Sequence, residues 1–263
     1  KDPDLSKYSD LVFVDEAHHI VDNQFGKIVD SISSSKIPII GLTATPGRSV
    51  SSEVSDHVKR FSSNLITPSS LGSDPITSLQ KKGVYSNITF ETLSINSYTD
   101  LDLLITHKKA TNAQIASYSP GRLDSIVDYI RNTQHQSIIV FAYSYTHCHI
   151  IASALYLHDI SVDIVSSYHN DEYNKNAIEK FKSGNIKVLI NVKYLTIGAD
   201  IPSATCVVFS IPSSSPIFFE QVIGRVCRGP TVGGTSHATV IDFDNHLNYF
   251  GHISSYARFA NYW

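Results

Sequence analysis

A chain of 263 residues, 42% hydrophobic and 17% charged, carries enough apolar material for one large or two modest cores, which excludes wholesale disorder. A formal net charge of −3 excludes a globally basic nucleic-acid binder but leaves room for a local basic groove, since binding follows the local field. Cys148, Cys206 and Cys227 are too scattered for a disulfide framework or a zinc site and fit a reducing, cytoplasmic setting, while no apolar stretch approaches a membrane span and Lys1-Asp2-Pro3-Asp4 is no signal peptide.

The apolar run Leu11-Val12-Phe13-Val14 reads as a buried strand that delivers Asp15-Glu16-Ala17-His18 to its C-terminal end. A loop and helix from His18 to Ser33 follow. A second short strand, Ile37 to Leu42, closes on the turn Thr43-Ala44-Thr45-Pro46-Gly47. Helical character returns at Val54 to Phe61, and Asp74-Pro75 starts a helix that Gly83 stops. Asn87 to Ile95 alternates as a strand. Residues 98–119 lack sustained periodicity, with helical character around Leu101 to Lys108, and read as a linker.

From Pro120 the pattern becomes regular: helix to Arg131, strand Ser137 to Phe141, helix His147 to His158, strand Val162 to Val165 and helix Glu172 to Ser183. Strands Lys187 to Asn191 and Thr205 to Ser210, helix Ile217 to Arg225 and strand Ala238 to Phe243 complete it. Such alternation implies an α/β fold with parallel sheets covered on both faces and function at the strand C-terminal ends. The aromatic tail from Asn245 to Trp263 reads as a packing helix or a partner surface.

Adjacent Asp and Glu at a strand edge suit Mg²⁺ handling and water activation in nucleotide hydrolysis. On a continuous helix, Gln221, Arg225 and Arg228 fall at i, i+4 and i+7, so that two guanidiniums and an amide share a face suited to phosphate. His147-Cys148-His149 is a packing segment rather than a metal cluster, because sequence neighbours point apart and no further ligand set accompanies them.

In their order, Asp15-Glu16-Ala17-His18, Thr43-Ala44-Thr45, Phe141-Ala142-Tyr143-Ser144, the segment Val188 to Pro202 and Gln221 to Gly229 resemble a superfamily 2 helicase or translocase of the DEAH-box kind. Asn191-Val192, Leu195-Thr196 and Gly198-Ala199-Asp200-Ile201-Pro202 are most similar to the XPB-like and restriction-enzyme motor-subunit branch. The resemblance implies two RecA-like domains, the first only partial: residues 1–97, then the linker, then 120–263. It implies ATP and Mg²⁺ at the cleft between the domains. Asp15 would hold the metal, Glu16 would polarise the attacking water, and His18, Thr43 and Thr45 would couple hydrolysis to domain movement. Gly198, Asp200 and Gln221 would line the nucleotide, and Arg225 and Arg228 would reach its γ-phosphate. Ser144, Asn191 and Thr196 would contact the phosphates of a nucleic acid, DNA rather than RNA; for Ser144, a plain helix cap fits the residue equally.

A Gly-rich phosphate loop ought to precede Asp15, and only fourteen residues do. The expectation is therefore a fragment, inactive alone, of an ATP-dependent motor that has other domains or subunits. Two readings compete with it: a catalytically incomplete binding module for nucleic acid or protein, and the motor of a restriction or defence complex.

Overall fold

Short apolar runs that end in turn residues become parallel strands in the computed structural model, which describes residues 9–20, 24–48, 51–72, 74–93, 120–196, 201, 204–211, 213, 215–243, 246, 250 and 255–263. The chain divides into two units, residues 1–75 with 251–263, and residues 76–250.

In the first unit, β1 (Val12–Val14), α1 (Gln24–Ser34), β2 (Ile39–Gly41) and α2 (Ser51–Arg60) alternate, and α8 (Ser255–Phe259) joins them from the far end of the chain. β1 and β2 pair in parallel with Val12 opposite Ile39 and Val14 opposite Gly41. Side chains alternate across this pair. Val14, with Ala17, Ile20 and Val29, forms a small core against which Val12, Ile39 and Phe61 pack. On the opposite face Leu11, Phe13, Ile40 and Leu42 stay exposed, Phe13 by 61%. The strand expected to be buried throughout is therefore buried on one face only. Gly41 is required by close approach: a Cβ there would lie 2.6 Å from the Phe61 ring and 2.8 Å from the Ala17 Cβ.

The second unit comprises α3 (Pro75–Lys81, from Ile76), β3 (Asn87–Thr92), α4 (Pro120–Asn132), β4 (Ile138–Phe141), α5 (Tyr145–Tyr156), β5 (Val162–Val165), α6 (Asp171–Lys182), β6 (Val188–Asn191), β7 (Cys206–Phe209), α7 (Pro216–Val226) and β8 (His237–Asp242). Six strands form one all-parallel sheet in the order β3-β8-β7-β4-β6-β5. β4, β6 and β7 are buried at every residue, as a parallel sheet covered on both faces requires. Ile139, Phe141, Leu189 and Phe209 point to one core, with Phe181 and Phe219; Ile138, Val140, Val188 and Val208 point to the other, with Ile126 and Ile151.

Two boundaries differ from those expected. β3 pairs with β8 along its length, from Asn87 opposite His237 to Thr92 opposite Asp242, so residues 76–93 belong to the second unit, not the first. The tail from 251 belongs to the first unit, not the second. In both places pairing and packing over long sequence separations override proximity along the chain. The linker 98–119, with its helical stretch Leu101 to Lys108, lies outside the described residues.

Arg122, in the first turn of α4, is wholly buried; its guanidinium lies 5.0 Å from the Phe243 ring centroid and Nη1 donates to the Ser210 carbonyl at 3.4 Å. Burial, and secondarily the Arg122 charge, lowers the pKa of His147 from 6.5 to about 4. The unfolded chain takes up a proton at His147 near pH 6.5 that the folded chain refuses until about pH 4, so its contribution to stability is complete above pH 6.5 and is lost as the pH falls through that interval. Urea midpoints measured from pH 7 to pH 4 should fall, and the fall should be shallower in His147→Gln; identical slopes would remove His147 as a cause.

Candidate active site

The chain turns sharply where β1 ends. Glu16 adopts φ 47° and ψ 46°, a left-handed conformation uncommon outside glycine, and then enters a 3-10 turn, Ala17–His19. The Asp15 carboxylate accepts the Glu16 N–H through Oδ1 at 2.8 Å. Both acidic side chains remain exposed. By contrast, His18 is 2% exposed, and its Nδ1 lies 2.8 Å from Thr43 Oγ1 and 3.4 Å from Glu16 Oε2. Burial first, then His19, Arg48 and His57, lowers the His18 pKa to about 4. At neutral pH His18 is therefore an uncharged imidazole, hydrogen-bonded to Thr43 with the Glu16 carboxylate 3.4 Å from the same nitrogen.

Thr43 Oγ1 also accepts the Thr45 N–H at 3.0 Å, so one hydroxyl ties the turn after β2 to the turn after β1. Thr45 itself is 4% exposed, and its Oγ1 has no hydrogen-bond partner among the described residues. Arg48, which sequence reading passed over, donates from Nη1 to the His18 carbonyl and from Nε and Nη2 to Glu53 Oε2 at 3.1 and 2.9 Å. The one local signal for it was its place directly after the Pro46-Gly47 turn.

The donor set at Asp15 and Glu16 suits Mg²⁺. Solvent-open carboxylate oxygens are hard ligands, and Mg²⁺ is ordinarily held by one or two carboxylates with waters and substrate phosphates filling the rest of its shell. Among the described residues no group of three or more His, Cys, Asp or Glu side chains is arranged to hold a metal unaided.

In the second unit the sequence-derived candidates separate. Ser144 is the N-cap of α5, and its Oγ accepts the His147 N–H at 3.1 Å, so the capping role is the one its geometry displays. Asn191 is fully buried; Nδ2 donates to the Val140 carbonyl at 3.2 Å and Oδ1 accepts the Leu195 N–H at 3.3 Å. Its amide braces β4 to the turn after β6, so the role its geometry displays is structural. Thr196 ends the 3-10 turn Tyr194–Thr196, with its side chain outside the described residues, where Gly198 and Asp200 also lie.

Gln221 is half-buried on α7, and Arg225 occupies the same helix with its side chain outside the described residues. Arg228 is not on the helix. α7 stops at Val226, and Arg228 instead forms an antiparallel bridge with Tyr85, while the Ser86 hydroxyl proton is shared between the carbonyls of Arg228 at 2.9 Å and Thr235 at 2.6 Å. The expected helical face of Gln221, Arg225 and Arg228 therefore ends before its third member. The isolated bridge to Tyr85 holds it instead.

Comparison with known proteins bears on both units. Residues 1–48 match the family of the type III restriction enzyme res subunit, and residues 121–230 match the helicase conserved C-terminal domain. The putative ATP-dependent helicase IRC3 of Saccharomyces cerevisiae is 27% identical over 260 residues, covering 91% of this chain and 35% of that protein. A 51.5 kDa protein of a Lactococcus phage is 24% identical over 249 residues, covering 92% of this chain and 50% of its own length. The chain thus spans half or less of the length of these curated relatives. Among solved structures, a fragment of a putative HsdR subunit of a type I restriction enzyme from Vibrio vulnificus matches with TM-score 0.66 at 21% identity, covering 92% of this chain and 45% of that one. S. cerevisiae Dbp5 bound to RNA and ADP BeF3 matches with TM-score 0.56 at 17% identity, covering 95% and 57%. These likenesses show the fold, that of RecA-like helicase domains.

The two threonines should respond to valine in opposite directions. Thr45→Val removes a buried hydroxyl without a partner and should stabilise the first unit by about 1 kcal/mol. Thr43→Val strips acceptors from the Thr45 N–H and the His18 link and should cost about 1–2 kcal/mol. Denaturant unfolding followed by amide exchange in residues 12–60 measures both; equal effects would contradict the assignment of partners.

Proposed function

We propose that this chain, a member of the superfamily 2 helicases, forms part of an ATP-hydrolysing motor that acts on DNA. The observation that carries this reading is the pair Asp15 and Glu16, exposed at a strand end and held there by the buried His18–Thr43 contact. In this reading Asp15 holds Mg²⁺, which when bound neutralises charge on the phosphates. Glu16, fixed in a left-handed turn with His18 at its carboxylate, orients and polarises water for attack. Thr43 and Thr45 report the state of that edge to the rest of the unit. Arg225 and Arg228 are assigned to phosphate, where a well-placed arginine is worth about 10³–10⁵ in rate. Gln221, Gly198 and Asp200 are assigned to the nucleotide and Thr196 to the nucleic-acid backbone, with Ser144 contributing through the helix end it caps.

DNA is preferred over RNA because residues 1–48 match a restriction-enzyme subunit family. The same match favours a second, compatible reading in which the motor serves a restriction or defence complex. A purely adaptor role is disfavoured, because an adaptor has no use for two exposed carboxylates on a strained turn.

In the full-length protein, Glu16→Gln should abolish nucleic-acid-stimulated ATP turnover while leaving ATP affinity within about threefold. Wild-type turnover in this variant would remove Glu16 as the activating carboxylate. Stimulation should be larger with DNA than with RNA of equal length, and stimulation by RNA alone would overturn the substrate assignment.

A further inference from the structure

The loop that presents Thr43 is closed over by the far end of the chain. Trp263 Nε1 donates to the Pro46 carbonyl at 2.8 Å. Phe259, 6% exposed, lies so close to Gly47 that a Cβ there would fall 2.0 Å from its ring, which makes glycine obligatory at that position. Trp263 also meets the buried His57 of α2 edge-on, with ring centroids 6.0 Å apart, and His57 packs in turn on Phe61 at 5.2 Å. Phe61 is the ring that closes on Gly41 of β2. Thr45, Pro46 and Gly47 are all buried as a result, although they belong to a loop.

The Gly47 N–H donates to the Thr45 carbonyl at 2.8 Å and the Thr45 N–H to Thr43 Oγ1 at 3.0 Å. A loop held mainly by packing loosens when that packing goes. Thr43 is the partner of His18, so slack in this loop is transmitted to the turn that carries Glu16.

We propose that Trp263 and Phe259 are positioning residues, and that the segment 255–263 is a clasp holding residues 43–48 in the geometry on which the Asp15–Glu16 edge depends. The clasp stands on the Trp263–Pro46 hydrogen bond and on packing; its consequence for turnover rests on the function proposed above. In the full-length protein, Trp263→Ala should raise amide exchange in residues 43–48 at least tenfold, leave β4 to β8 unchanged, and lower kcat about tenfold with the KM for ATP within twofold. Trp263→Phe, which keeps the ring and loses the N–H, should give smaller changes of the same kind and guards against misfolding of the alanine variant. Trp263 is the sole tryptophan of the 263 residues, so in this chain its emission should red-shift and become more open to acrylamide when Phe259 is replaced by Ala. Unchanged exchange in residues 43–48 would overturn the clasp. Raised exchange with unchanged kcat would overturn the positioning role. A wild-type protein without ATP turnover would reject the proposed function, and the exchange result would still decide the clasp.

Discussion

Parallel pairing in the first unit continues past the strands that begin it. Leu42 N donates to the Val14 carbonyl at 2.8 Å, and Ala17 N donates to the Leu42 carbonyl at 2.9 Å. Those two bonds draw the segment after β1 alongside the segment after β2. Little room is left for the two residues between Val14 and Ala17, and the chain accommodates them by taking Glu16 into the left-handed region, at a cost of about 1–2 kcal/mol. The same registration lays His18 on Thr43. The exposed carboxylates and the buried imidazole beneath them are thus two outcomes of a single backbone constraint. Gly41 is the residue that makes the close approach possible.

The polar groups near this edge are managed by burial of His18 and by charge pairing of Arg48. His18 is kept neutral, and Arg48 spends its guanidinium on the His18 carbonyl and on Glu53. A neutral imidazole transmits a change in hydrogen-bond geometry without changing the net charge beside Asp15 and Glu16, which suits the phosphate-handling role proposed for them. The second unit is organised differently. Its central strands are buried on both faces, and polar side chains at their C-terminal ends, Asn191 above all, are consumed in joining strands to the turns that follow.

Features written into a few neighbouring residues were legible from the sequence. The first strand's end at Val14, the Gly83 stop and the alternation from Pro120 onward each depend on short apolar runs closed by turn formers, and the order of the motifs carried the resemblance to a superfamily. What sequence could not give depended on distant partners. β3 looked continuous with the first domain until β8, about 150 residues later, took it into another sheet. Arg228 fitted a helical repeat, but the helix ends at Val226 and Arg228 is bridged to Tyr85. Asn191 carried a motif's signature, and its bonds to Val140 and Leu195 depend on a strand order that the sequence does not display. Arg48 acts on a carbonyl thirty residues upstream, and the aromatic tail gave no sign of which surface it covers.

The central claim is that Glu16 is set by the coupling of His18 to Thr43. A double-mutant cycle on nucleic-acid-stimulated ATP turnover of the full-length protein, using His18→Asn, Thr43→Val and the pair, tests it most directly. Residues that act through one contact are non-additive, so the double variant should be no slower than the slower single variant, with a coupling energy of about 1–2 kcal/mol. Losses that simply add would show that the two side chains act independently and would contradict the account.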